Sequence, residues 1–435
     1  MVAKGGIPED PEGSGSRMSL SLHKSRLDWR HDRLKDVALL RSEKTDEKSS
    51  MEDYLELEDI ESWSMRILNW RSTVDVESTV TKFEKGDVLF GKLRPYLAKV
   101  CRPDKSGKCT GEILAIHPTH IDGGYLQYAL IDPEMIKKCT LLSYGAKMPR
   151  VNWVTQLSTF EIPIPPRPEQ ERITAFLDEN CAAVDKAIEV KRKQLESVEP
   201  QWANLLHNVT LRGIRLSRLQ KTTNAIIEKI PVGWKLKRLR YIGRCQNGIS
   251  KDGQYFGYGF PFVTYGDVYN NMALPVVASG LMESTKEEGI RYSVKRGDIF
   301  FTRTSETADE VGFSSVCLKT IPDATFAGFV IRVRPVTEDL LPEFAQYYFR
   351  NPFVSQYFAK EMMVVTRASL SQDILKSLPV LLPPRDEQTQ IAQYLGERRR
   401  YFDSLAVNLQ KQIETLEQYR KSLIHEYVTG ERRIV

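Results

Sequence analysis

The sequence predicts an α+β protein: two related α+β domains separated by two long helices that pair as an antiparallel coiled coil about a pseudo-twofold. Three observations carry this. The stretch PPRPEQERITAFL (165–177) returns as PPRDEQTQIAQYL (383–395). Each copy opens a long segment whose apolar residues recur at alternating steps of four and three, the signature of a coiled-coil seam. The globular stretches before the two helices share further matches in the same order. At 435 residues the chain exceeds one ordinary core, and 41% hydrophobic residues suffice to bury a large interior.

The first 20 residues read as a mobile lead-in, because IPEDPEGSGSR (7–17) is polar and rich in Gly and Pro. There is no apolar signal core, and Met18 is a second candidate start. No apolar run approaches the length needed to cross a bilayer. Six cysteines without a CxxC pair read as reduced thiols of a cytoplasmic protein. A net charge of +5 permits a polyanionic partner without demanding one.

The first domain is assigned to residues 21–161 and its relative to 231–378. DWRHDRLKDVA (28–38) parallels GWKLKRLRYIG (233–243), matching Trp29 with Trp234 and Leu34 with Leu239. YLELEDIE (54–61) parallels FVTYGDVY (262–269), pairing Asp59 with Asp267. KGDVLF (85–90) parallels RGDIFF (296–301), and QYALIDP (127–133) parallels QYYFRNP (346–352). The spacing between partners drifts slowly, as small loop insertions make it. GDVLFGKL and GDIFFTRT read as strands entered through a Gly-Asp turn. EFAQYYFRNPFVSQYFAK (343–360) has helical spacing broken near Pro352.

The helices follow at 162–215 and 379–435, with a linker at 216–230. Pro165-Pro166 and Pro383-Pro384 stiffen the approach, and Pro168 fits the first turn. Glu169, Glu171, Asp386 and Glu387 suit the positive end of the helix dipole. One seam runs Leu177, Cys181, Val184, Ile188, Lys191, Leu195, Val198, Trp202, Leu205, Val209. The other runs Leu395, Arg399, Phe402, Ala406, Leu409, Ile413, Leu416, Arg420, Leu423, Tyr427. Only Lys191, Arg399 and Arg420 are polar. From Glu169 to Val209 the helix would span roughly 60 Å. Antiparallel pairing would put the domains toward opposite ends of a rod; the alternative is two amphipathic helices, each docked on its own domain. Pro200 predicts a kink near residues 196–199.

This order of domain, helix, domain, helix, with the signatures GDVLFGKLRPYLAKV (86–100) and IPPRPEQERITAFLD (164–178), resembles the DNA-specificity subunit of type I restriction–modification systems. The resemblance covers nearly all of the chain after about residue 25. In the second copy GDIFFTRTSETADEVG lacks the LRPYL ending, which fits a second domain reading a different sequence. The resemblance implies two target-recognition domains, each reading half of a bipartite DNA site, with the helices as ruler and docking surface. It implies double-stranded DNA, two modification (methyltransferase) subunits and restriction (endonuclease/translocase) subunits as partners, and no membrane. It also implies a non-catalytic chain without cofactor, with S-adenosylmethionine, ATP and Mg in the partners. Visits to the major groove on one face recur about every 34–36 Å, within reach of such a rod.

Chemical motifs are sparse. There is no GxxxxGK[ST] loop and no GxSxG elbow. NPF (351–353) lacks the second proline of an amino-methyltransferase motif and aligns with DPE (132–134), so both read as helix-ending turns. DGQYFGYGFPF (252–262) lacks GxGxxG spacing. HPTH (117–120), with Cys101 and Cys109 upstream, reads as a surface turn rather than zinc ligands, since the second copy offers no metal-like set. His207 and His425 occupy matched helix positions and read as packing or partner-facing residues.

Reading DNA needs cations for phosphates and polar side chains for base edges. The first candidate set is Lys92, Arg94 and Tyr96 after one Gly-Asp strand, with Arg303 and Thr304 after the other. The second is YGAKMPR (144–150), with Lys147 and Arg150, and its counterpart VTRASLSQ (365–372), with Arg367 and Ser369; Ser369 also reads as a helix N-cap. The third is the loop SKDGQYFGYG (250–259), with Lys251 and Tyr255. Residues 231–378 carry a slight basic surplus and residues 1–160 balance, so partners would add phosphate contacts. Two other function classes stand beside this one: a self-sufficient methyltransferase or nuclease, and a coiled-coil adaptor without a DNA role.

Overall fold

The computed structural model describes residues 29–49, 53–74, 76–215, 217–224, 226–305, 311–362 and 368–434. The lead-in at 1–20 lies outside them. The chain divides into two units, residues 1–190 with 412–435 and residues 191–411. The division falls inside both long helices rather than at their ends.

In the first unit a four-stranded sheet is built from β1 (Ala38–Leu40), β2 (Val88–Gly91), β3 (Val100–Cys101) and β4 (Ile113–Pro118), in the order β1-β4-β2-β3. Side chains alternate between the faces of a strand, and here both faces are covered. Val88, Phe90, Leu114 and Ile116 enter one core, with α1 (Gly123–Ile131) and α2 (Pro133–Leu142). Leu89, Ile113 and Ala115 enter a second core. That core lies against a sheet of Lys44–Thr45, Val80–Phe83, Gly107–Cys109 and Tyr54–Leu55. A strand pair, Arg30–Arg33 with Glu161–Ile164, leads into α3, Arg167–Arg212, of 46 residues.

The second unit repeats the main sheet with β5 (Gly243–Asn247), β6 (Ile299–Thr302), β7 (Ser314–Val316) and β8 (Val330–Pro335), in the equivalent order β5-β8-β6-β7. Ile299, Phe301, Ile331 and Val333 face one core, while Phe300 and Val330 face the other. The helical side of the unit holds α4 (Pro342–Tyr348), α5 (Pro352–Glu361) and the short α6 (Gln372–Ser377). The pair Lys235–Arg238 with Pro379–Leu382 leads into α7, Arg385–Val428, of 44 residues. The second sheet differs: it has three strands, Gly280–Met282, Phe256–Val263 and Thr325–Phe326, one pairing of which is parallel.

The matched motifs have physical roles. The Gly-Asp turns need a left-handed glycine, and Gly86 and Gly297 have φ of 96° and 92°. The aspartates that follow are buried; Asp87 accepts from Glu84 N and Asp298 from Lys295 N, each at 2.8 Å. Each carboxylate has a partner on the strand of its sheet that comes last in the chain: His117 Nδ1 lies 2.9 Å from Asp87, which also pairs with Arg41, and Asp298 pairs with Arg334. Asp59 and Asp267 close equivalent capping boxes on Glu56 and Thr264. The repeated glutamine after each Pro-Pro pair folds back. Gln170 donates to Pro165 O and accepts from Asp122 N at the start of α1. Gln388 does the same with Pro383 O and Leu341 N at the start of α4.

Each long helix contributes to both units. In the first, Ile173, Leu177 and Cys181 of α3 share a core with Leu423, Ile424, Tyr427 and Val428 of α7. In the second, Trp202, Leu206 and Val209 of α3 share a core with Ile391 and Leu395 of α7. The helices run antiparallel. The Phe176 ring packs at a tilt against Tyr427 and Asp185 pairs with Arg420 in the first unit; in the second, Trp202 meets Phe402 and Gly213 abuts Glu387. Neither helix is docked on its own domain alone. Toward the end of α3 the seam drifts, so Leu206 is buried while Leu205 is half-buried.

Helix α3 is continuous through Pro200; Val198 and Trp202, on either side, are buried. One local expectation changes. Ser369 is not an N-cap: it pairs in a strand bridge with Thr304, and Ser371 caps α6 by accepting from Ile374 N.

Candidate nucleic-acid interface

The first two candidate sets, distant in sequence, meet at the same end of the main sheet in each unit. In the first unit Lys92 N donates to Glu112 O and Lys92 O accepts from Val151 N, both at 3.0 Å. Arg94 N donates to Pro149 O at 2.7 Å, and Leu93 bridges Arg150. In the second, Arg303 N donates to Phe329 O and Arg303 O accepts from Leu370 N at 2.7 Å, while Thr304 pairs with Ser369. Lys92 and Arg303 therefore hold one structural position, joining the Gly-Asp strand to the segment before the next helical turn.

The side chains on these edges differ. Arg94 and Lys147 are exposed, as are Tyr96, Tyr144 and Met148 beside them. Arg94 has φ of 51°, a strained left-handed conformation for a residue with a Cβ, and it starts the Pro95–Leu97 turn that presents Tyr96. Arg150 is held by Glu112 through three hydrogen bonds of 3.0 to 3.2 Å, which raise its guanidinium pKa above the usual value. In the second unit Arg303 and Ser369 are exposed. Arg367 lies outside the described residues.

The third set has other contacts. Lys251 Nζ donates to Glu288 Oε2 at 2.7 Å and Glu283 O at 2.9 Å, and sits 5.3 Å from the Tyr255 ring centroid. Of the tempting zinc set, His117 Nδ1 lies 2.9 Å from Asp87 Oδ1, and Cys101 and Cys109 are core residues. Burial pushes the Cys109 thiol up to about 12.

The matched histidines meet the matched turns. In the first unit His425 Nδ1 of α7 lies 2.8 Å from Asp132 Oδ1, where α1 ends and Asp132 caps α2. In the second, His207 Nδ1 of α3 lies 3.1 Å from Asn351 Oδ1, which caps α5. The carboxylate raises the His425 pKa, with smaller contributions from Glu431 and Glu134. The polar seam residues are likewise paired: Arg399 with Glu199 and Asp403, Arg420 with Asp185 and the carbonyls of Trp63 and Ser64.

Two copies of one sheet, each with a basic residue at the same edge position, lie in segments that match a known domain model. Residues 26–199 and 231–415 both fit the type I restriction modification DNA specificity domain. The chain belongs to the type I DNA specificity family. Among curated relatives, it is 27% identical over 209 residues to a putative MjaX specificity subunit of Methanocaldococcus jannaschii, covering 47% of each chain. It is 24% identical over 298 residues to the EcoKI specificity subunit of Escherichia coli, covering 68% of this chain and 62% of that one. The matches thus span about half to somewhat under two thirds of the length of these relatives. Among solved structures, one from a study of complex assembly and conformational transition in a type I R-M system aligns with a TM-score of 0.73 at 18% identity, covering 93% of this chain and 98% of the other. The HsdS subunit of Thermoanaerobacter tengcongensis aligns with a TM-score of 0.57 at 17% identity, covering 93% and 97%. These likenesses concern the fold.

In this type I specificity chain, the ends of both long helices close each core, while the second sheets are where the two copies differ. Sequence reasoning missed the partners of the paired histidines and, on the second edge, Phe329 and Asn247; Gln372 closes the stretch VTRASLSQ but was not singled out within it.

Proposed function

We propose that the chain is the DNA-recognition and assembly subunit of a type I restriction–modification complex, with each lobe reading half of a bipartite site and the paired helices setting the spacer and docking two modification subunits. The observation that carries this reading is the duplicated edge: Lys92 and Arg303 in one structural position, on two sheets of one topology, surrounded by different side chains. Equal scaffolds with unequal edges suit two half-sites of different sequence. Phosphate contacts position each lobe and base contacts specify it. Methyl transfer, with S-adenosylmethionine, is carried out by the modification subunits; ATP- and Mg-dependent cleavage is carried out by restriction subunits joined to them. The chain itself supplies recognition and geometry. Mapping methylated adenines in a host carrying this chain with modification subunits tests the reading. The expected result is one motif of two short blocks separated by a fixed unread spacer; an undivided motif, or none, overturns it.

A further inference from the structure

The C-terminal end of β5, the N-terminal end of β8 and the C-terminal end of β6 lie together, because β8 is antiparallel to both neighbours. This end also receives the bridge between Thr304 and Ser369. Two residues further along, Gln372 Nε2 donates to Asn247 Oδ1 at 2.9 Å, joining the first turn of α6 to the end of β5. Both side chains are half-buried, neither enclosed in a core nor swinging free. A primary amide has two donor hydrogens and one acceptor oxygen. After the mutual bond, the Asn247 amino group and the Gln372 carbonyl have no other partner among the described residues. Exchanging N and O on both amides leaves the same outcome, an unengaged amino group beside an unengaged carbonyl. That is the complement of adenine N7 and N6–H in the major groove.

The backbone below is tightly constrained. A Cβ at Gly248 would collide with the Phe326 and Ala327 carbonyl oxygens, so the strand end carrying Asn247 has little freedom to shift. By strand register, the first-unit positions equivalent to Asn247 and Gln372 are Ser42 and Trp153. Neither is an amide, so the pair is a feature of the second lobe alone.

We propose that Asn247 and Gln372 act together as a specificity-determining pair that reads one A·T base pair in the half-site of the second lobe. This rests on the proposed function. Gln372 lies on the edge that holds Arg303, so a duplex whose phosphates meet Arg303 brings a base edge within reach of the amides. The bond between them fixes their orientation before DNA arrives, which lowers the entropy cost of a bidentate contact.

The test uses the full chain assembled with its modification subunits and a randomised duplex library, comparing wild type with Gln372→Ala and with Asn247→Ser, which installs the side chain of the first lobe. Thermal melting confirms that both variants fold, and the serine variant covers the case in which Gln372→Ala disturbs α6. The expected result is that discrimination at one A·T position falls by about tenfold to a hundredfold, with the other half-site and the spacer length unchanged. Unaltered discrimination at every position in both variants overturns the amide pair while leaving the proposed function standing. Loss of preference at a G·C position overturns the A·T assignment. A wild-type complex that selects no sequence overturns the proposed function, and the pair with it.

Discussion

Replacing Arg420 by Met should open the end of α7 in the first unit. Arg420 is 4% exposed and donates to Asp185 Oδ1 at 2.9 Å, Trp63 O at 2.6 Å and Ser64 O at 3.2 Å. Methionine retains the length and much of the apolar contact of the stem, so the change isolates the guanidinium. Removing one partner of a buried ion pair costs about 3–5 kcal/mol, because the other charge is left uncompensated. The Trp63 and Ser64 carbonyls also lose a donor, but both residues are only half-buried, so water can replace it. Water can reach part of the site, since the Asp185 side chain is 22% exposed, so the lower end applies and about 3 kcal/mol is expected. That corresponds to about a hundredfold rise in the population with α7 locally open. Amide hydrogen exchange over residues 412–428 reads this directly, without requiring the whole chain to unfold in one step. Asp185→Asn in the Arg420→Met background should recover at least ~1 kcal/mol, because the two residues are directly coupled. Protection within twofold of wild type in Arg420→Met, or strict additivity in the double variant, would refute the reasoning.

Three further outcomes are expected. Lys92→Ala and Arg303→Ala should each weaken DNA binding by a similar factor on every sequence and reduce the salt slope by about 1, as loss of one phosphate contact does, while subunit assembly measured by sedimentation stays intact. Inserting one heptad into each long helix at matched positions near their midpoints should lengthen the pair by about 10 Å, and methylation mapping should show the spacer longer by about three base pairs. Because Asp132 raises the pKa of His425, the contribution of that pair is full below the ordinary imidazole value of about 6.5 and is lost as pH rises through the elevated one. Protease protection of the C-terminal end of α7 should therefore fall across that window, and Asp132→Asn, which copies Asn351 of the other unit, should flatten the profile.

The DNA candidates show where local reasoning reached its end. A Gly-Asp turn and an apolar strand place a basic residue, Lys92 or Arg303, at a strand end in both copies. Arg150, from the segment before the following helix, has its charge committed to Glu112, a residue far away in sequence whose approach depends on how β4 lies against β2. Lys251 is likewise committed to Glu288. Ser369 had the composition of a helix cap, but the bridge to Thr304 took it into a strand and left the cap to Ser371. At Ser369 a long-range pairing outweighed a local capping preference of about 1 kcal/mol.

By itself, the sequence determined the duplication, the strands entered through Gly-Asp turns, the helix entrances and the seam, because each is written in spacing along the chain: period two on the strands, three and four on the helices, and backbone needs that only Gly or Pro meets. Only the tertiary structure decided which core each helix half completes, which partner neutralises each polar seam residue, and which loops share an edge. A periodic stripe states that a surface must be covered and does not name the cover. Choosing between Leu423 and Leu206 as the closing residue of a given core depends on the shape of both surfaces at once, and that information exists only after the chain has folded.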